Sequence, residues 1–173
     1  MSAEEEHEIL LKDWWTEHRG IFHKIARSFA PLPEDEADLC QEMLVQLWRS
    51  LPNYRSACQP STWIYRVCFN TALSWRRGEK RRLSHLLPVT LPEETPSIDP
   101  QPDATGERAE RLEALYSAIR MLTPADRSMV LMLLDGRSYQ EISAVTGLTE
   151  NHVGVSLTRI RKKLMNLIER KSK

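Results

Sequence analysis

The stretch SYQEISAVTGLTENHVGVSLTRIRKKL, residues 138–164, decides how the second half of the chain folds. Ser138, followed three residues later by Glu141, forms a capping box and opens a short helix. That helix buries Ile142 and Val145. Gly147 supplies the left-handed backbone of a tight turn, because glycine has no Cβ to clash there. Leu148 plugs the gap between two helices, and Thr149 caps the second. In the second helix Val153, Leu157 and Ile160 recur at spacings of four and three, which is one buried face at the helical period. The other side carries Asn151, His152, Ser156, Arg159, Arg161, Lys162 and Lys163. This is the grammar of a helix-turn-helix. Amides and hydroxyls near the start of its second helix read base edges, and basic residues further along hold phosphates. An antiparallel helix pair with a solvated basic tail would explain spacing and charge separately. The coincidence of turn glycine, two caps, apolar spacing and basic face favours DNA binding.

Outward from this motif the pattern stays helical. Thr123-Pro124-Ala125-Asp126 starts a helix: Thr123 caps, Pro124 suits the first helical position, and Asp126 completes a capping-box-like pair. It continues through Met129, Val130, Leu133 and Leu134 and closes at Asp135-Gly136. Ahead of it, residues 107–122 form a helix with Leu112, Leu115, Ala118, Ile119 and Leu122 on its apolar side. In the N-terminal half, residues 8–29 place Leu10, Leu11, Trp14, Trp15, Ile21, Phe22 and Ile25 near a 3.6 period, with an irregularity at Gly20. Pro31 and Pro33 end that helix. Glu34, Asp35, Glu36 and Asp38 then occupy the first turn of another, where the helix dipole favours them. Its apolar side is Leu39, Met43, Leu44, Leu47 and Trp48, and Leu51-Pro52-Asn53 breaks it. After the loop YRSACQPS, Ser61 or Thr62 caps a long helix from Trp63 to about Arg77. No alternating β pattern of useful length occurs, so the expected class is all-α.

Between the halves lies LLPVTLPEETPSIDPQPDATGE, residues 86–107, with 5 of the 10 prolines and no basic residue. Proline blocks both helix and strand ladders, so this reads as an extended linker. The expected organisation is an N-terminal domain over 1–85, the acidic proline-rich linker over 86–107, and a C-terminal helix-turn-helix domain over 108–173.

The zero net charge hides segregation. Residues 1–48 carry 4 basic and 11 acidic side chains, whereas 49–82 carry 8 and 1. Residues 83–107 are purely acidic among charged groups, and 137–173 carry 8 basic and 3 acidic. Two basic blocks, each behind a neutral or acidic one, suggest two separate contacts with a polyanion. Solvated helix faces account for such charges equally well at this level. The first block interleaves Trp63, Tyr65, Phe69 and Trp75 with Arg66, Arg76, Arg77, Lys80, Arg81 and Arg82, a composition that can stack and clamp single-stranded nucleic acid. Trp63 and Phe69 are read as core, and 76–82 as a phosphate-facing helix end.

Other classes find little support. No apolar run reaches the roughly 20 residues of a membrane span, and MSAEEEHEIL is acidic where a secretory signal is basic, so the expected location is cytoplasmic. Cys40, Cys58 and Cys68 are too few and scattered for a disulfide framework and read as small buried or half-buried thiols. The histidines at 7, 18, 23, 85 and 152 are dispersed. No metal-spaced cluster, Gly-rich phosphate loop or nucleophile elbow marks an enzyme such as a nuclease, and neither cofactor nor metal is expected.

Three stretches together are specific: ADLCQEMLVQLWRSLPNYR (37–55), STWIYRVCFNTALSWRR (61–77) and, after the linker, LTPADRSMVLMLLDGRSYQEISAVTGLTENHVGVSLTRIRKKL (122–164). Over about residues 8–169 the chain resembles a minimal RNA polymerase sigma factor of the sigma-70 family, extracytoplasmic-function (ECF) subfamily, in which the intermediate domains of larger sigma factors are missing. The resemblance implies a transcription initiation factor, not an enzyme, whose partners are core RNA polymerase and promoter DNA, without membrane insertion. It leaves an anti-sigma factor open as a further partner. The helix with Asp38, Leu39, Gln41, Glu42, Leu47 and Trp48 matches the surface that docks on the clamp coiled coil of the β′ subunit. Tyr54, Arg55, Thr62, Trp63, Arg66 and Asn70 fall where a flipped base of the −10 element is captured. Arg76 and Arg77 would hold backbone phosphates beside it. The linker matches the segment threading near the polymerase active centre. The helix-turn-helix matches the −35 reader, through Asn151, His152, Ser156, Arg159, Arg161 and Lys162, and the helices before it match the surface that meets the β flap.

One departure concerns the recognition helix. Gly154 and Val155 stand where many relatives are basic or polar. Glycine allows close backbone approach, and valine can touch a thymine methyl. The principal competing reading is a helix-turn-helix regulator that acts without polymerase docking. Such a protein needs neither the STWIYRVCFN block nor an acidic docking helix.

Overall fold

The computed structural model describes residues 3–30, 32–76 and 106–171, which hold α-helices, one 3-10 turn and no strand. The chain divides into two units, Met1–Ile98 and Asp99–Lys173. Residues 86–105 of the expected linker lie outside the described residues, as do Arg77, Lys80, Arg81, Arg82 and His85. Among the described residues no helix is long and apolar enough to cross a membrane.

In the first unit, α1 (Ala3–Phe29), α2 (Pro33–Ser50) and α3 (Pro60–Arg76) pack pairwise against one another. α1 begins earlier than the apolar period suggests, because Glu4, Glu5 and Glu6 fill its first turn on the favourable side of the dipole. It runs unbroken through Gly20. α2 carries Glu34, Asp35 and Glu36 in its first turn and passes into a 3-10 turn at Leu51–Asn53. α3 starts at Pro60 rather than Trp63. The fixed φ of proline suits a first helical position, and the Trp63 N–H already bonds the Gln59 carbonyl at 3.2 Å. Ser61 and Thr62, expected as caps, therefore sit inside the first turn and are buried.

The core between these helices is made by Phe22 and Ile25 of α1, Leu39, Met43 and Leu47 of α2, and Ile64 and Tyr65 of α3, all essentially without solvent contact. Burying one such side chain is worth about 1.5–3 kcal/mol. Phe69 is core as expected and stacks on Tyr65 with ring centroids 5.6 Å apart. All five tryptophans, at 14, 15, 48, 63 and 75, belong to this unit. Cys40 and Cys68 are buried and unpaired. The Cys40 sulfur lies 3.8 Å from Nδ1 of His23. Burial, reinforced by the charge of Glu36, pushes the Cys40 thiol up to about 12. Burial, then the neighbouring Cys40, raises Cys68 well above its ordinary value. Burial and the nearby Arg19 lower His23. Burial therefore favours the protonated form of both thiols, which is the poorer nucleophile.

In the second unit, α4 (Glu107–Arg120), α5 (Pro124–Leu134) and α6 (Tyr139–Thr146) all pack on α7 (Glu150–Lys171). The Thr123 hydroxyl accepts the Asp126 N–H at 3.2 Å, so the expected cap is present. Residues Asp126 to Met132 of α5 are all buried, which explains an apolar run without a clear period. Leu134, the last residue of α5, is exposed. Arg127 is buried and donates from Nη2 to the carbonyls of Arg120 and Leu122. It thereby satisfies acceptors at the end of α4 that the helix itself leaves open. The capping box of α6 is complete: Ser138 Oγ accepts from the Glu141 N–H at 3.1 Å, and Ser138 N–H donates to Glu141 Oε2 at 2.7 Å. Gly147 takes φ 74°, and its N–H bonds the Ser143 carbonyl at 2.8 Å. Thr149 Oγ1 accepts from the His152 N–H at 3.3 Å and starts α7.

Candidate nucleic-acid interface

The recognition helix α7 presents three sides. Val153, Leu157 and Ile160 are fully buried, with Leu164 continuing the same stripe. At 100° per residue the opposite side holds Asn151, Val155, Arg159 and Lys162, all exposed. The two flanks meet the neighbouring helices. On one, Ser156 is buried beside Thr123, Asp126 and Met129 of α5 and its cap. Ser156 was expected to read bases; its hydroxyl instead faces protein, because it falls on the flank turned toward α5. His152 and Lys163 rim the same cleft and remain exposed. Arg161 lies toward the other flank and is exposed.

Gly154 lies on that other flank. A Cβ at this position would come within 3.3 Å of Cε2 of Tyr139. The close approach it permits is that of the Tyr139 ring, at the start of α6. Val155 is 66 % exposed and stands on the outward side. Thr158, also exposed, donates its hydroxyl to the Gly154 carbonyl at 3.0 Å. Arg159 donates from Nη2 to Asp126 Oδ1 at 3.0 Å across 33 residues of sequence. No sequence signal marks this pair, since Asp126 had a sufficient role as a first-turn acid.

In the first unit Arg66, Asn70 and Arg76 of α3 are exposed. Arg66 and Asn70, four residues apart, share a side of the helix. Thr62, expected among the −10 contacts, is buried and points into the bundle. Trp63 is half-buried, and its indole N–H donates to Ser50 Oγ at 2.9 Å. Its ring faces Tyr54 at 5.6 Å, and Tyr54 meets Trp14 edge-on at 4.8 Å. The Tyr54 hydroxyl donates to the Cys58 carbonyl at 2.9 Å. These aromatics brace the loop from 54 to 59 from beneath, while Arg55 stands exposed on it. Within that loop Ser56 has φ 54°, the left-handed region that a non-glycine residue enters seldom.

On α2, Asp38 and Gln41 are exposed and Glu42 is half-buried, accepting from Gln46 Nε2 at 2.8 Å. Trp48 is half-buried, its ring 6.3 Å from that of His7. Leu39 and Leu47, expected on the docking surface, have no exposure at all. They fall on the side of α2 that faces α1 and α3, so they shape this surface only by holding the helix in place.

The comparisons with known proteins follow the same division. Residues 14–82 match the Sigma-70 region 2 family, and residues 112–164 match Sigma-70, region 4. The chain is 28 % identical over 160 residues to ECF RNA polymerase sigma factor SigE of Mycolicibacterium smegmatis, covering 90 % of this chain and 60 % of that protein. The chain thus spans less than two thirds of this relative's length. Among solved structures, CnrH in complex with the cytosolic domain of CnrY superposes with a TM-score of 0.65 at 22 % identity, over 94 % of this chain and 90 % of that one. The sigma factor RpoE in complex with the anti-sigma factor NepR from Bartonella quintana gives 0.63 at 19 %, over 91 % and 98 %. At these identities the structural likeness speaks for the fold.

Proposed function

The chain belongs to the sigma-70 family, ECF subfamily, and from that premise we propose that it binds core RNA polymerase and directs it to promoters by reading the −10 and −35 elements. The observation that carries this is the order of region 2 and region 4 along one chain, each with its own polar or basic helix side toward solvent. Asp38, Gln41 and Glu42 of α2 form an acidic and amide surface suited to a basic partner, the β′ clamp coiled coil. Trp48 borders it. Asn70 offers a donor and an acceptor to the edge of an unstacked base. Arg66, Arg76 and Arg55 stand where its flanking phosphates would lie, with Arg77 next in sequence. Tyr54 and Trp63 support this face rather than stack on bases.

In the second unit Asn151, His152 and Val155 meet the base edges of the −35 duplex, and Arg161 and Lys162 its phosphates. The helices ahead of the helix-turn-helix face the β flap. The protein's contribution is selection and placement, the bond-making being the polymerase's, in the cytoplasm where polymerase and chromosome meet. The two solved neighbours are held by CnrY and by an anti-sigma factor, and a partner of that kind is the regulator proposed here.

Run-off transcription tests the reading. Core polymerase with this chain should produce transcripts from a defined subset of a promoter library that core alone does not produce. Identical transcripts with and without the chain would overturn it.

A further inference from the structure

We propose that Asp126, which lies outside the helix-turn-helix, is a specificity-determining positioning residue: it aims the Arg159 guanidinium of the recognition helix at one base pair. The inference rests on the promoter-reading role of α7 proposed above. Asp126 is fixed on its own account. It sits in the first turn of α5, its N–H is held by the Thr123 hydroxyl, and its side chain is only 10 % exposed. Arg159 is the opposite, with its side chain 69 % exposed on the outward side of α7. The 3.0 Å bond from Nη2 to Oδ1 therefore ties a mobile group to an immobile one.

That bond uses one of the two Nη2 hydrogens. The guanidinium is planar, so holding one N–H confines the other four to rotation about that single bond. An untethered arginine on a helix surface samples many rotamers and meets any phosphate in reach. A tethered one presents its remaining donors over a much narrower range of angles, which favours bidentate reading of a guanine edge. The acid also has a cost for binding in general, since it places a negative charge near a surface that meets phosphates. Its effects on specific and non-specific affinity should accordingly have opposite signs. A residue that only stabilised the fold would lower both.

The test uses the full chain on core polymerase, with a promoter library randomised across the upstream element. Arg159→Ala should erase preference at one base pair. Asp126→Ala should weaken preference at that same base pair by about fivefold or more, with binding to unrelated duplex unchanged or tighter. Asp126→Asn keeps the shape and an acceptor but not the charge, and should fall between wild type and Asp126→Ala. In an Arg159→Ala background, Asp126→Ala should change preference no further. Full preference retained in Asp126→Ala, or specific and non-specific binding lost together in Asp126→Asn, would overturn the inference. A wild-type chain without any base preference upstream would instead overturn the promoter reading beneath it.

Discussion

Gly154 of the recognition helix lies directly beneath the Tyr139 ring, with room for a Cβ only at 3.3 Å from Cε2 and 3.7 Å from Cδ2. Tyr139 is 37 % exposed and opens α6, so its ring can yield by a few tenths of an ångström toward solvent. Alanine also removes the conformational cost of a mid-helix glycine, about 1 kcal/mol. Gly154→Ala should hold or slightly raise the melting temperature of the second unit. Gly154→Val adds branched bulk that the ring cannot clear, and should lower it. Thermal unfolding followed by circular dichroism separates the two, and an equal loss in both variants would contradict this packing.

The proposed docking surface and the core share α2, and substitutions should tell them apart. Asp38→Lys with Glu42→Lys should leave the chain folded while weakening retention on immobilised core polymerase. Leu47→Ala should cost about 2–5 kcal/mol of stability through the cavity it leaves. Denaturant titration alongside a pull-down checks both. Unchanged retention of the double charge reversal would remove α2 from the polymerase contact.

Asn70 and Lys162 should fail in different ways. Asn70→Ala removes a donor and acceptor, at about 1–3 kcal/mol of discrimination at one −10 position. A premelted template should not restore that preference, because the contact is to an unstacked base. Lys162→Ala should weaken upstream binding nearly uniformly across sequences and reduce its salt slope by about 1. Transcription from promoter variants on duplex and premelted templates, repeated at several salt concentrations, distinguishes these patterns from a common loss of folding.

Glu141 gives the helix-turn-helix an acid limit. The Ser138 backbone N–H holds its carboxylate below an ordinary 4.5, with Arg137 assisting against a smaller opposing effect of burial. A carboxyl with a lowered folded value contributes stability that is complete above its unfolded value and is lost as pH falls through the folded one. The second unit should therefore weaken below about pH 4.5. Glu141→Gln, which keeps an acceptor without the charge, should shrink that dependence while lowering stability at neutral pH. Melting curves from neutral pH downward measure the difference, and parallel curves for the two proteins would rule out the contribution.

The sequence was most legible where a single local interaction decides the outcome. Ser138 with Glu141, Thr123, Gly147 and Thr149 each end or begin a helix by a contact within a few residues, and each appears as expected. Apolar spacing was equally reliable for Val153, Leu157 and Ile160. Ser156, Thr62, Leu39 and Leu47 were placed on binding surfaces by residue type or motif position, yet each lies on a helix side turned inward. Which side faces inward depends on where neighbouring helices cross, and α5 covers a flank of α7 that its own period leaves open. The Asp126–Arg159 bond is long-range and invisible to any local rule. At Pro60, a proline's fixed φ outweighed the capping tendency of the Ser61 and Thr62 hydroxyls that follow it.

The placement of every tryptophan in the first unit makes the chain an optical reporter of that unit alone. Selective indole excitation sees α1, α2, α3 and whatever binds them, while the second unit, with Tyr116 and Tyr139 but no indole, stays dark. Trp48 borders the side of α2 proposed to face polymerase, and Trp63 lies under the 54–59 loop proposed to meet the −10 strand, hydrogen-bonded to Ser50. Polymerase docking and capture of the −10 strand should thus each shift the emission without any attached dye. Engagement of the −35 duplex alone should leave it still, so the order in which a promoter is grasped can be followed in time with the unmodified protein.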